Sequence, residues 1–408
     1  MEFEVFGWWL LLAAFFQLSS IHGCLREERV ALLQFKASLN SSYDYLTSWD
    51  SSQEESNCCD WARVECDNTT GHVIKLHLFH LRDFSNIDLE VWYLNASLFL
   101  PFQELKYLDL HGNGISGWVP NEGFERLSRL SKLEELRFCA NYINESFLSS
   151  LGQILSLKKL YLRDNQLDQP MNIPISELRR LKNLQELYLD GTNIDKSFLR
   201  KVGVMTSLNV LSMQDCGLNG SLPIVQELRR LKNLQELYLH GTNIDKSFLR
   251  KVGVMTSLNV LSMQDCGLNG SLPIFQGKKS CFCKILLSNN LLIVELNLYT
   301  FHFAGWCELT NLQELVLSYN KFEGILPSCL ANMTKLQIFD IASNRFNGSI
   351  DLSPLPSLKS LQYLDLSHNY FNPITFSSFL NLSKLEVIFS DGNKLVIETL
   401  SQRQNLGF

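Results

Sequence analysis

Residues 175–224 read ISELRRLKNLQELYLDGTNIDKSFLRKVGVMTSLNVLSMQDCGLNGSLPI, and residues 225–274 repeat them with three changes. Ile175 becomes Val225, Ser176 becomes Gln226 and Asp190 becomes His240. A globular core rarely accommodates a second copy of such a stretch in mid-chain. A solenoid does, because each unit touches only its neighbours and a whole number of added units lengthens the stack. Each copy holds two units of its own, Leu184-x-x-Leu187-x-Leu189 and Leu208-x-x-Leu211-x-Met213, 24 residues apart. The repeating element is therefore an L-x-x-L-x-L strand motif followed by a return segment.

Working outward, the motif's first apolar position recurs at Val73, Leu105, Leu133, Leu157, Leu184, Leu208, Leu234, Leu258, Phe282, Leu312, Leu336, Leu361 and Leu385. Most steps are 24 to 28 residues, and the longer gaps after Val73 and Phe282 are expected to hold loops. The apolar positions of each strand point into the stack, and the residues between them face outward on a concave sheet. Three residues beyond the last strand position stands Asn113, Asn141, Asn165, Asn290, Asn320, Asn344, Asn369 or Asn393. An amide there can donate and accept, linking backbone groups of adjacent turns into a ladder. The duplicated units carry Thr192, Cys216, Thr242 and Cys266 instead, so the two cysteines are expected to be buried thiols filling ladder slots. Next come Gly117-x-Val119-Pro120, Gly220-x-Leu222-Pro223, Gly270-x-Leu272-Pro273 and Gly324-x-Leu326-Pro327, a permissive turn followed by the start of the convex side. Gly348-Ser349-Ile350-Asp351 lacks the proline, and units such as Asn193–Val202 lack the element and are expected to return through short helices.

The chain has 408 residues, 46% hydrophobic and 19% charged, a composition of ordered protein and a length that one repeat array can fill as a single domain. Its net charge of −6 argues against nucleic acid as a partner. Val5–Leu18 is a short apolar run of signal-peptide size, although Glu2 and Glu4 stand where positive charge is usual; residues 1–23 are read as a cleaved signal, with no membrane span elsewhere. Glu27–Leu39 is a helix with Val30, Leu33 and Ala37 as its apolar stripe, widened by Leu32 and Phe35. Cys24, Cys58, Cys59 and Cys66 form an even set in a secretory context. Adjacent cysteines do not easily bond to each other, and the pairing Cys24–Cys58 with Cys59–Cys66 is chosen among the three connectivities. A zinc site is the rival, disfavoured by export into an oxidising compartment. The bridges would cap the first turn, whose apolar edge has no neighbour.

Leu32-Leu33-x-Phe35-Lys36-x-Ser38-Leu39, Leu46-x-Ser48-Trp49, Cys58-Cys59-x-Trp61-x-x-Val64-x-Cys66 and Thr70-Gly71-His72-Val73 together resemble the N-terminal cap of plant leucine-rich-repeat receptors. The G-x-L-P elements resemble that class's G-x-I-P pattern, and the resemblance runs from about Cys24 to the end. Arg63 stands where most relatives have glycine, a small departure on a loop. What the resemblance implies is an α/β fold, a curved, right-handed leucine-rich-repeat solenoid with an N-terminal disulfide cap. Residues 24–70 would be the cap and 71–408 about 13 repeats, including the duplication 175–224/225–274.

Other chemistry fits the residues less well. Gly112-Asn113-Gly114-Ile115-Ser116-Gly117 matches a dinucleotide fingerprint, but in the same register other units read DCGLNG, YNKFEG and SNRFNG, so these glycines belong to the repeat. His72, His77 and His80 are read as solvated residues at a strand end rather than metal ligands. No catalytic constellation is found, and the expectation is a non-enzyme without cofactor or metal. Nine N-x-[ST] sequons, at Asn40, Asn68, Asn95, Asn144, Asn219, Asn269, Asn332, Asn347 and Asn381, mark glycosylation positions behind a signal peptide, Asn219 and Asn269 lying in tight turns and filling less fully.

The function expected is recognition of a peptide or protein ligand outside the cell by the concave face. Its candidate contacts are Glu135, Arg137, Lys159, Tyr161, Arg163, Glu186, Tyr188, Asp190, Ser212, Gln214, Glu236, Tyr238, His240 and Gln264, with tyrosine and arginine as anchors. The resemblance implies a plant cell-surface receptor-like protein of defence or development, signalling through partner kinases. The rival is a secreted inhibitor of a cell-wall-degrading enzyme, like the polygalacturonase inhibitors. Ser401–Phe408 offers no capping cysteines, transmembrane helix or kinase, so a truncated product or a piece of a longer chain is expected. The location would be the outer face of the plasma membrane if the full form carries a span, and the apoplast otherwise.

Overall fold

The structure, a computed structural model, describes residues 24–39, 45–50, 56–82, 92–143, 145–165, 170–220, 228–245, 247–253, 255–271, 282–293, 308–372 and 379–393. The proposed signal segment and the sequons at Asn40 and Asn144 lie outside them. The chain divides into two compact units, Met1–Asp168 with Arg179–Leu184, and Gln169–Leu178 with Gln185–Phe408.

The first unit begins with the helix Arg26–Ser38. Its buried side is Glu28, Ala31, Leu32, Phe35 and then Leu39, while Val30 and Ala37 face solvent. The expected stripe is thus rotated, because a polar residue sits at its centre. Glu28 is fully buried, and its carboxylate accepts the backbone N–H groups of Leu25 at 3.3 Å and Val73 at 3.2 Å. The helix is thereby tied to the first repeat strand. Phe35 packs on Trp49, Trp49 stacks on Trp61, and the Trp49 indole N–H donates to the Ala62 carbonyl at 2.8 Å. The disulfides are Cys24–Cys58 and Cys59–Cys66, in agreement with the sequence reading. Arg63 adopts φ +72°, the left-handed region where the glycine of relatives would be at home. Arginine is held there by donating to the carbonyls of His77 at 3.1 Å and Phe79 at 2.8 Å while lying over the Phe79 ring.

Strand Val64–Cys66 pairs antiparallel with Val73–His77. Tyr107–Asp109, Glu135–Arg137 and Lys159–Tyr161 then follow in parallel, with Leu76, Leu108, Leu136 and Leu160 in line and fully buried. Burying each leucine contributes roughly 1.5–3 kcal/mol, and the parallel register stacks identical positions without gaps. The second unit repeats this with Glu186–Tyr188, Val210–Ser212, Glu236–Tyr238, Val260–Ser262, Lys284–Leu286, Glu314–Val316, Ile338–Asp340, Tyr363–Asp365 and Val387–Phe389, all parallel.

The ladder forms as expected. The Asn113 amide donates to the Leu110 carbonyl at 2.9 Å and accepts the Leu81 N–H at 2.8 Å; Asn141 accepts from Ile115 at 2.9 Å. In the duplicated units the thiols of Cys216 and Cys266 point at the carbonyls of Leu189 and Leu239, each at 3.0 Å, and both are buried. Short helices, Lys196–Lys201 and Ser247–Val252, return the units that lack G-x-L-P. The other units carry a second strand: Glu323–Gly324, Arg345–Gly348 and Tyr370–Phe371 make a small parallel sheet, and Trp92–Leu94 pairs with Ile115–Trp118. The gap after Val73 therefore holds a strand as well as loop, and Gly117 lies inside a strand rather than a turn. Gly348 is at φ +88°, where a Cβ would stand 2.8 Å from Ile325 Cγ2, so any larger residue would strain the backbone and displace that side chain. Asn219 and Asn269 also stand in strands, not tight turns, and Asn269 is exposed.

Candidate ligand-binding face

Because the middle residue of each strand is buried, the residues on either side of it face outward. In the first unit these make an interleaved aromatic and basic surface. The Arg137 guanidinium lies 5.4 Å from the Tyr107 ring and 4.7 Å from the Tyr161 ring, and its Nε donates to Glu135 at 2.8 Å. Arg163 lies over the same Tyr161 ring at 5.9 Å. Stacking of this kind fixes long side chains in advance and reduces the entropy lost on binding. The Tyr107 hydroxyl donates to Asp109 at 3.1 Å; burial first, then the charge of Asp109, raises its pKa and keeps it a neutral donor. Lys159 is half-buried beside them.

The histidines here are less simply solvated than the sequence suggests. His72 faces Glu28 at 3.2 Å and His77 meets Glu65 at 2.8 Å; only His80 is exposed, and its ring packs on His111. Burial, and next the charge of His80, lower the His111 pKa. Gly112 and Gly114, from the fingerprint match, border a cleft of about 310 Å³ with His80, Tyr142 and Asp164. The Gly112 N–H is bonded to the Cys139 carbonyl and Asn113 is buried in the ladder, so the segment cannot turn its amides toward a phosphate. Among the described residues no group of three His, Cys, Asp or Glu could hold a metal ion, and no helix is long and apolar enough to cross a membrane.

In the second unit the tyrosines are braced by acids. The Tyr188 hydroxyl donates to Glu186 at 3.1 Å and that of Tyr238 to Glu236 at 2.7 Å. Burial and the Glu236 carboxylate raise the Tyr238 pKa, so it too stays protonated. Asp190 accepts the Gln214 N–H at 2.9 Å and the Ser212 hydroxyl, and the Gln214 amide donates to Ser212 at 3.1 Å. Ser212 corrects the sequence reading: it is fully buried with its hydroxyl committed to Asp190, so it braces the face and is no contact. His240 and Gln264 are half-exposed. The sequence reading omits the same positions in neighbouring strands: Asp109, Glu314, Asp340 and Asp365 also face outward, Glu314 paired with Lys284 at 2.9 Å. Glu314 stands two residues after its motif's first apolar position, Leu312, and Asp109, Asp340 and Asp365 stand four after theirs, so carrying both counts into every unit finds them. Burial, opposed by the Ala342 N–H and the Ser318 hydroxyl, raises the Asp340 pKa, with Asp365 across the sheet adding to the rise.

Comparison with known proteins decides the family. The leucine-rich-repeat region family matches residues 112–403, and the leucine-rich-repeat N-terminal domain matches residues 25–67. The chain belongs to the leucine-rich-repeat family. Receptor-like protein 9a of Arabidopsis thaliana is 38% identical over 187 residues, 46% of this chain and 19% of its own length. Cuscuta receptor 1 of Solanum lycopersicum is 37% identical over 225 residues, 52% of this chain and 20% of its own length. This chain thus spans about a fifth of either relative. Among solved structures, the ectodomain of the Arabidopsis receptor kinase HAESA, in complex with a peptide hormone, matches with a TM-score of 0.61 at 24% identity, covering 91% of this chain and 62% of that one. An internalin from Listeria monocytogenes matches with a TM-score of 0.54 at 20% identity, covering 80% and 86%. These likenesses establish the solenoid with its parallel sheet.

Proposed function

We propose that this chain is the ligand-recognising part of an extracellular receptor-like protein, binding a peptide or protein segment along its outward strand faces. The observation that carries the reading is the preorganised tyrosine surface. Arg137 is stacked between Tyr107 and Tyr161, and Tyr188 and Tyr238 are each anchored to a glutamate. Large, rigid aromatic groups bind with little loss of rotamer freedom, and such residues dominate interface energetics. Two disulfides, the apolar run Val5–Leu18 of signal-peptide size and exposed sequons at Asn68, Asn269, Asn332, Asn347 and Asn381 support export and glycosylation. The names of the plant relatives support a receptor role, and signalling through partner kinases in defence or development follows from that reading.

The test is capture of peptides from extracellular fluid on the purified chain, followed by titration of the captured peptide. Tyr161→Ala, Tyr188→Ala and Tyr238→Ala are each expected to weaken binding by about 1–3 kcal/mol without altering the circular dichroism spectrum. Unchanged affinity in all three folded variants refutes the reading.

A further inference from the structure

The small parallel sheet of Glu323–Gly324, Arg345–Gly348 and Tyr370–Phe371 has a buried side and an open side. Phe346 and Phe371 are buried, and their rings stack at 6.3 Å with 7° between the planes, which marks one side as core. Side chains alternate along a strand, so Asn347 and Tyr370, the neighbours of these phenylalanines, turn outward. Both are exposed, Tyr370 to 65%. The two are also Cα partners, on strands about 4.8 Å apart. Asn347-Gly348-Ser349 is a sequon, so a bare tyrosine ring stands directly beside a glycosylation acceptor.

The same place in the repeat holds two other sequons, and the partner across the sheet differs each time. Asn219 pairs with Asn243, which is exposed, and Asn269 pairs with Leu291, which is 49% exposed. The three acceptors thus stand beside an amide, an aliphatic chain and an aromatic ring. A pyranose carries its hydroxyls around its edge and presents C–H groups on its faces. Such a face lies flat on an aromatic ring, while the tyrosine hydroxyl stays in water at the rim. An amide offers no apolar plane, and leucine offers apolar area without a plane. Side chains of paired residues on adjacent strands reach one another, so the first sugar on Asn347 needs no backbone movement to meet the ring.

We infer that Tyr370 is the docking platform for the first N-acetylglucosamine of a glycan on Asn347, which covers the ring that Tyr370 otherwise turns to solvent. The inference rests on export and glycosylation of the chain and not on the outward strand face being the ligand face. A sugar is the occupant because acceptor and ring form one register pair of this chain, a juxtaposition absent at Asn219 and Asn269.

The full chain is secreted from cells grown on ¹³C-glucose with kifunensine, then trimmed by endoglycosidase H to one N-acetylglucosamine per filled sequon. Mass spectrometry of its glycopeptides gives the filled positions. Signals of the Asn347 sugar are those lost in Ser349→Ala, and signals of the Asn269 sugar are those lost in Ser271→Ala. The C–H protons on one face of the Asn347 sugar are expected upfield of their counterparts on Asn269, because they lie over a ring. Tyr370→Ala should return them to the ordinary position, and Tyr370→Trp should keep them upfield. Ordinary positions at a filled Asn347, or upfield ones that survive Tyr370→Ala, overturn the inference. So does an empty Asn347 among otherwise filled sequons. A dimer in sedimentation that Tyr370→Ala dissociates puts a second copy on the ring and overturns it as well. If every sequon is empty, the export reading itself fails and takes the inference with it.

Discussion

Asn290→Ala separates a full ladder rung from a makeshift one. The Asn290 side chain accepts the N–H groups of Cys266 at 3.1 Å and Leu268 at 3.0 Å, and donates to the carbonyls of Met263, Leu287 and Ser288, each at 3.0 Å. It is 4% exposed, so water cannot replace these bonds without opening the stack. Each buried N–H left without an acceptor costs about 1–2 kcal/mol, and the three carbonyls add a few tenths each, giving about 3–5 kcal/mol in all. Cys266 occupies the equivalent slot one unit earlier, where its thiol meets the Leu239 and Gln264 carbonyls, at 3.0 and 3.3 Å, and the Thr242 hydroxyl at 3.7 Å. A thiol is a weak donor, so Cys266→Ala should cost only about 1 kcal/mol. Urea titration of both variants, with amide exchange at Cys266 and Leu268, reads the difference. Equal losses, or unaltered exchange at those two amides in Asn290→Ala, would show that the asparagines are fillers and not bonds.

Burial raises the Glu28 carboxyl above its ordinary 4.5, outweighing the bonds from Val73, His72 and Leu25. Ionisation then costs more in the fold than in the unfolded chain, so stability present below about pH 4.5 is lost as pH rises through the folded value. Glu28→Gln should remove that slope from a stability-versus-pH profile, and identical slopes in the two proteins contradict it. The thiols of Cys216 and Cys266, the latter pushed up to about 11 mainly by burial, should resist iodoacetamide at pH 8 in the native chain and react fully in urea. Deleting residues 225–274 should leave a folded, shorter array of lower stability, because the junction Ile224–Phe275 repeats Ile274–Phe275. Loss of the circular dichroism spectrum would count against nearest-neighbour stacking.

Most of the fold is readable from leucine spacing, since a parallel register leaves each L-x-x-L-x-L position one environment. The asparagines and cysteines of the ladder are legible for the same reason. What the spacing does not show is depth on the outward face. Ser212 occupies an outward position by parity, yet it is fully buried with its hydroxyl committed to Asp190, so a serine offered as a contact is a brace. Nor can the helix stripe be oriented from apolar residues alone, because its buried centre is Glu28, whose partners Val73 and His72 lie far along the chain. Arg63 looks in sequence like a minor departure on a loop, and its left-handed backbone is visible only in three dimensions.

The claim that the outward strand face receives ligand is tested most directly by placing a photocrosslinking benzophenone side chain at single positions and irradiating with the captured peptide. The two positions to compare are Tyr238, on the face, and Leu352, which is 91% exposed beyond the strand Arg345–Gly348 and away from the principal sheet. Crosslinking at Tyr238 with none at Leu352 is the predicted result. Crosslinking at Leu352 with none at Tyr238 would contradict it and move the binding site off the sheet.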